Sequence, residues 1–463
     1  MFTVIEQCRV AAQPGTTVLE KSLPLTSFDL TWFHLHPIQR VIFYEHSQLD
    51  AAQCFISKLK DSLSLTLKHF YMFAGHLVCS KTPNPTIKPK IHYVDGDSIP
   101  LTFMESNQDN FDYLTSYYPR TAFEFHPLVP QLPAESIMGD IVLAPLLAIQ
   151  VTLFPGSGIS IGFTARHEAA DGNTVTRFIR SWASITKFSS DVPLLGEKLD
   201  QPICFYDRSV VNDPNEEIFW GGVMSRPFNM GSCSPTQLPP DLVRATFIMA
   251  PDHIQLLKRW VSKEFPTLSH VTTFSVTLAF VWVSIFKLKM RINEVCDRPV
   301  LLVISADCRR LMDPPLPENY FGNCLLPVFF PRNFNEPLSK DDGFIIGAKL
   351  IGDLIEEKLR KKDAISRCQE EMVFFGIRMS EFQFIGVSGS PKFAVYDADF
   401  GWGKPKKNEL ISIDFTGAIF LSDCRDAKGG VEVGLSFPKI EMDAFTVIFA
   451  DGLKSVEKSR GEA

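Results

Sequence analysis

Ile159-Ser160-Ile161-Gly162-Phe163-Thr164-Ala165-Arg166-His167-Glu168-Ala169-Ala170-Asp171 is the stretch on which the reading of this chain turns. Ile159, Ile161, Phe163 and Ala165 are apolar, while Ser160, Gly162 and Thr164 between them are small or polar. A period of two predicts a β-strand with one face in the core, and it carries His167 to the inward face at the strand's end. An imidazole beside interior space suits a general base, because its ordinary pKa lies near neutrality. Taken alone, the pattern fits a core histidine hydrogen-bonded to backbone at least as well.

Working outward, Leu147, Ile149, Val151 and Leu153 alternate with Ala148, Gln150 and Thr152, and Pro155-Gly156-Ser157-Gly158 then turns the chain into the His167 strand. This predicts a hairpin with a four-residue loop. Beyond Asp171, Gly172-Asn173 precedes a predicted helix through Phe178, Ile179 and Trp182. Apolar residues at three- and four-residue steps from Ala52 through Phe55, Ile56, Leu59, Leu63 and Leu67 to Phe70 predict an amphipathic helix.

Further on, Pro214, Pro227, Pro235, Pro239 and Pro240 block long regular elements and mark a crossover. The mixed pattern then resumes. Helices are predicted around Ile254–Val261 and Phe274–Phe286, strands at Val300–Ser305 and Val431–Leu435, and a closing helix through Met442, Phe445 and Phe449. The fold class is α/β, with two mixed domains at 1–195 and 242–463 joined by a linker at 196–241.

At 463 residues the chain is too long for one compact core, and its 45% hydrophobic and 21% charged residues are ordinary for a globular protein. A formal net charge of -7 gives no long-range attraction for nucleic acid or anionic lipid, so a polyanionic substrate needs a local basic patch. The ten cysteines form no C-x-x-C pair and read as reduced thiols. Met1-Phe2-Thr3-Val4-Ile5-Glu6-Gln7-Cys8-Arg9 lacks the layout of a signal peptide, and Ile141–Phe154 is too short to span a bilayer. A cytosolic protein is the simplest expectation.

Several chemistries lack their signatures. Gly386-Val387-Ser388-Gly389-Ser390 fails the last position of G-x-S-x-G, Gly401-Trp402-Gly403 lacks the third glycine of a dinucleotide fingerprint, and no P-loop is present. His167 and Asp171 stand four apart, but no further clustered ligand accompanies them, and no metal is expected. Two other stretches stand out: Asp399-Phe400-Gly401-Trp402-Gly403, whose glycines imply a tight turn around a packed tryptophan, and Tyr320-Phe321-Gly322-Asn323-Cys324.

His167-x-x-x-Asp171 with Asp399-Phe400-Gly401-Trp402-Gly403, about 230 residues apart, resembles the plant BAHD acyltransferases. Tyr320-Phe321-Gly322-Asn323-Cys324 is similar to the signature of their anthocyanin and phenolic glucoside branch, which includes malonyltransferases. The likeness extends over nearly the whole chain, including Ser22-Leu23-Pro24-Leu25-Thr26 and Val129-Pro130-Gln131-Leu132-Pro133.

The resemblance implies two similar chloramphenicol-acetyltransferase-like domains, a channel between them, and acyl-CoA as a co-substrate with no permanently bound cofactor. It implies a monomer whose partners are small molecules, with no nucleic acid and no membrane. His167 would deprotonate an acceptor hydroxyl, and Asp171 would point away from the pocket to pair with Arg309. Asp399 would be a buried carboxylate paired with a cation, although the motif has led to its being treated as catalytic. The indole of Trp402, or a nearby backbone N–H, is a candidate oxyanion donor. Lys258 and the Ser269–Ser275 segment, with Thr272, Thr273 and Ser275, match the family's CoA-binding region by position. Arg177 or Arg180 could meet a malonyl carboxylate, where a surface arginine is the plainer reading. Malonyl-CoA leads as donor, hydroxycinnamoyl-CoA is the alternative, and a catalytically silent relative or a thioester hydrolase are readings of other classes.

Overall fold

In the computed structural model, the described residues are 2–13, 18–46, 52–82, 84, 86–108, 110–189, 203–213, 216–224, 235–268, 271–292, 300–330, 343–377 and 381–458. Two mixed sheets, a smaller antiparallel one and the helices packed on them form an α/β fold with two main cores. The six-stranded sheet runs Phe2–Ala11, Ser98–Ser106, Leu147–Phe154, Gly158–Ala165, Ile38–Glu45 and Lys407–Leu410 in spatial order. The seven-stranded sheet runs Leu325–Phe330, Val300–Asp307, Gln383–Ser388, Ile419–Asp423, Val431–Pro438, Leu242–Met249 and Arg120–Thr121. A five-stranded sheet that includes Glu20–Pro24 and His76–Ser80 flanks the first.

Two short strands break a clean division at 195 and 242. Lys407–Leu410, from the second half of the chain, pairs antiparallel with Ile38–Glu45 in the first sheet. Arg120–Thr121, from the first half, pairs with Val243 and Arg244 in the second. Each half completes the other's sheet.

The hairpin pairs Leu147 with Ala165 through to Phe154 with Gly158. Gly158 therefore belongs to the strand, and the loop is three residues, Pro155–Ser157, one fewer than expected. All eight residues of each strand are buried. The small and polar positions of the His167 strand do not face water; a second layer covers them. A Cβ at Gly162 would lie 2.0 Å from the Leu128 carbonyl oxygen, and the Thr164 hydroxyl donates to the Pro130 carbonyl at 2.5 Å. Val129-Pro130 is part of that layer, so Gly162 is required by close approach of two backbones.

The strand ends at Ala165, two residues before His167. Arg166 is tied down by its backbone N–H to the Leu146 carbonyl, its Nε to the Pro145 carbonyl and an ion pair with Glu168 at 2.8 Å. The helix predicted after Asp171 runs Gly172–Phe188 and buries Phe178, Ile179 and Trp182. Other predicted elements are present as Ala52–His69, Pro251–Glu264, Thr273–Arg291, Val300–Asp307, Val431–Pro438 and Lys439–Lys458. Thr273–Arg291 is long and apolar enough to cross a membrane, but twelve of its residues are buried, nine of them in the second core. The crossover contains a helix, Glu216–Met224, that its proline content hid.

Candidate active site

His167 lies where the two cores meet. Asn323, from the second half, donates through Nδ2 to the His167 carbonyl at 2.9 Å. The same Nδ2 and the Asn323 backbone N–H both reach Asp29 Oδ1 at 3.0 Å. Asp29 is fully buried; its other oxygen accepts from the Thr26 N–H and hydroxyl at 2.9 Å and pairs with Arg208. Thr26 and Asp29 form a reciprocal cap on the short helix Ser27–Leu30, which delivers Trp32 to the site. The Trp32 indole stacks on the His167 ring with centroids 4.2 Å apart and planes 10° apart.

His167 is partly buried, and its Nδ1 is buried with no hydrogen-bond partner among the described residues. Burial lowers its pKa below the ordinary imidazole value, and its own backbone, the Asp171 carboxylate, the Asn323 side chain and the Asp29 carboxylate offset this only in part. The ring is neutral at pH 7, as a general base must be.

Asp171 is buried and structural. Its Oδ1 accepts the Thr174 N–H at 2.9 Å, capping Gly172–Phe188, while Oδ2 pairs with Arg309 at 2.8 Å and accepts the Cys324 N–H at 3.3 Å. Arg309 also reaches the Gly322 carbonyl at 3.3 Å, and the Thr174 hydroxyl reaches it at 3.1 Å. Tyr320-Phe321-Gly322-Asn323-Cys324 is thus the seam itself: Tyr320 packs in the second core and Phe321 in the first. Gly322 has φ 131°, and a Cβ there would lie 2.8 Å from Arg208 Nη2, so only glycine fits without displacement.

Asp399 and Trp402 lie away from His167, against the candidate oxyanion role of Trp402, whereas Asp399 does pair with a cation. Asp399 Oδ2 pairs with Lys187 at 2.7 Å, and Oδ1 accepts the Gly401 and Gly403 N–H groups at 2.7 and 2.9 Å. Burial would raise this carboxyl, but the lysine and the two backbone donors hold it below its usual range. It is part-exposed rather than buried. Gly401 and Gly403 take φ 99° and 89°, which the turn needs. Trp402 packs against Tyr44, His46, Phe55 and Phe400. Lys187 is sixteen residues along the helix from Asp171, about 24 Å at 1.5 Å per residue. No group on the Trp402 turn reaches an oxyanion beside His167.

Lys258 Nζ donates to the Thr273 hydroxyl at 2.9 Å, so these two are together. Thr272 and Ser275 form the reciprocal cap of Thr273–Arg291, with Ser275 buried; their hydroxyls serve the helix end. Ser269 lies outside the described residues. Arg177 Nη2 donates to the Ile203 carbonyl at 3.0 Å, tying the crossover to the helix behind His167. A cavity of about 650 Å³ is lined by Ser22, Thr26, Tyr206, Arg208 and Asp213 among others. It shares Thr26 and Arg208 with the Asp29 network but is not lined by His167.

Sequence reasoning missed Asp29, Trp32 and Arg208. The reciprocal Thr26–Asp29 spacing was the one readable clue, and it begins at the last residue of Ser22–Thr26.

The profile of the Transferase family matches residues 1–451. The chain is 41% identical to phenolic glucoside malonyltransferase 1 of Nicotiana tabacum over 98% of its length and 99% of that protein's. It is 39% identical to the malonyl-coenzyme A:anthocyanin 3-O-glucoside-6''-O-malonyltransferase of Dahlia pinnata, over 98% of both. A coumaroyl-CoA:anthocyanidin 3-O-glucoside-6''-O-coumaroyltransferase of Arabidopsis thaliana is 36% identical over 97% of both. Among solved structures, vinorine synthase superposes with TM-score 0.66 at 18% identity, covering 96% of each chain. F. graminearum TRI101 bound to ethyl coenzyme A does so with TM-score 0.66 at 16% identity, over 92% of this chain and 97% of that one.

Proposed function

Because this chain belongs to the Transferase family, the BAHD acyl-CoA-dependent acyltransferases, we propose that it moves a malonyl group from CoA to a sugar hydroxyl of a phenolic or anthocyanin glucoside. The observation that carries the chemistry is the His167 imidazole, partly buried at the seam and held neutral by that burial. Nδ1 is enclosed, which leaves Nε2 as the basic nitrogen. It takes the proton of the acceptor hydroxyl as that oxygen attacks the thioester carbonyl. The tetrahedral intermediate then collapses, the C–S bond breaks, and CoA leaves as the thiol with the proton returned from His167. No acyl-enzyme forms, because both substrates are held together, and orientation supplies much of the gain.

Asp171 serves this step by holding the loop, with Arg309 as its partner. Lys258 with Thr273 is the CoA-phosphate contact in this reading; Thr272 and Ser275 support it by fixing the helix end, and Arg177 acts behind the site. The reading includes a cytosolic monomer with acyl-CoA as its co-substrate. The Arabidopsis coumaroyltransferase favours hydroxycinnamoyl-CoA as the second donor.

The test offers malonyl-CoA and coumaroyl-CoA in parallel with a phenolic glucoside and follows thiol release. We expect malonyl-CoA to be consumed only when the glucoside is present. Release without acceptor would instead mark a hydrolase, and consumption of neither donor would overturn the assignment.

A further inference from the structure

The wall behind the base is built from residues outside the histidine motif. Both oxygens of Asp171 are engaged by Thr174, Arg309 and Cys324, so Asp171 does not orient the imidazole as a triad carboxylate would. What lies on the ring is Trp32, face to face. Its indole N–H is buried and meets no acceptor among the described residues, so the residue contributes its flat face here and not its donor.

The two rings also share one frame. The Trp32 backbone N–H donates to the Asp29 carbonyl at 3.1 Å, and the Asp29 carboxylate holds Asn323, whose amide grips the His167 carbonyl. The backbones that carry indole and imidazole are therefore both tied to the same buried residue. A histidine χ2 torsion is broad and leaves the ring plane loosely defined, so a ring with no hydrogen bond to Nδ1 needs another restraint.

We infer that Trp32 is the positioning residue of the general base: its indole face sets the plane of the His167 ring and thereby the aim of Nε2. This rests on His167 being the base.

The experiment compares Trp32→Leu, Trp32→Phe and His167→Ala in the full-length enzyme, with malonyl-CoA and a phenolic glucoside. Misaiming the base should lower kcat of the Leu variant about 10- to 100-fold while both KM values stay within about twofold. Phe, which keeps a planar face, should restore kcat to within about threefold of wild type. The inference is overturned if Leu keeps the wild-type kcat, if Phe loses as much as Leu, or if the loss lies in KM. Should Leu prevent folding, Phe is compared with Trp32→Met, which fills the volume without a flat face, and read the same way. Turnover retained by His167→Ala would sink the base assignment instead. An inactive His167→Ala beside an unimpaired Trp32→Leu sinks only the positioning role.

Discussion

A histidine that must collect a proton at neutral pH is useful only if its imidazole is uncharged and reachable, and burial at the seam supplies the first condition for His167. Its lowered pKa sets a direction. The acidic limb of kcat/KM should fall below about pH 6.5, the ordinary imidazole value, because the base stays neutral to lower pH. A limb above that value would contradict the assignment. His167→Ala should cost about 10²–10⁴-fold in turnover at pH 7 with thermal stability nearly unchanged. The histidine was legible from alternation and motif, and the Arg309 pairing of Asp171 from family likeness. Trp32 and Asp29 were not, because they stand more than 130 positions upstream in an ordinary amphipathic segment. Their meaning comes only from the packing of Ser27–Leu30 against Asn323 and Arg208.

At the scale of elements, Gly172–Phe188 works as a rod with one motif at each end. Its N-terminus is capped by Asp171 beside the base, and Lys187 in its last turn holds Asp399. Spacing in sequence could not show that these two motifs sit a helix-length apart, which is why Trp402 read as a candidate oxyanion donor. The structure makes it a clamp: Tyr44 donates to the Ala398 carbonyl at 2.8 Å, and Phe400 lies in the first core against Trp182. Trp402→Phe should keep kcat within about twofold while lowering the melting temperature, since a large-to-small aromatic change leaves a packing defect. Asp399→Asn should act in the same sense by weakening the turn. A large drop in kcat with unaltered stability, measured by parallel thermal scans and kinetics, would return the motif to chemistry. The helix-and-strand pattern was itself readable because 3.6- and 2-residue periods survive in the apolar positions. The covered polar face of the His167 strand was not, since the layer over it comes from Leu128–Pro130.

For the molecule as a whole, the two exchanged strands carry a buried ionic lock. Glu409, on the Lys407–Leu410 strand, pairs with Arg120 at 2.7 Å and Arg244 at 3.2 Å, and Arg244 also pairs with Asp414 at 3.0 Å. Burial would raise the Glu409 carboxyl, but Arg120, Arg244 and Lys407 outweigh it and bring it down to about 2. A carboxyl depressed in the folded state contributes stability that is complete above its unfolded value, about 4.3, and drains away as the pH falls toward 2. Glu409→Gln, which takes the carboxylate from Arg120 and leaves Arg244 with Asp414 alone, should cost about 3–5 kcal/mol at pH 7, and the stability of the variant measured by urea unfolding should vary less than wild type between pH 5 and 3. A two-domain α/β fold was legible from the chain; the exchange was not, because Arg120–Thr121 and Lys407–Leu410 are too short to show a period. That reciprocity constrains ancestry as well as stability. A crossover between related genes that replaces only one half imports a ribbon shaped for a foreign neighbour, so productive chimeras must carry the donated ribbon with the sheet it closes.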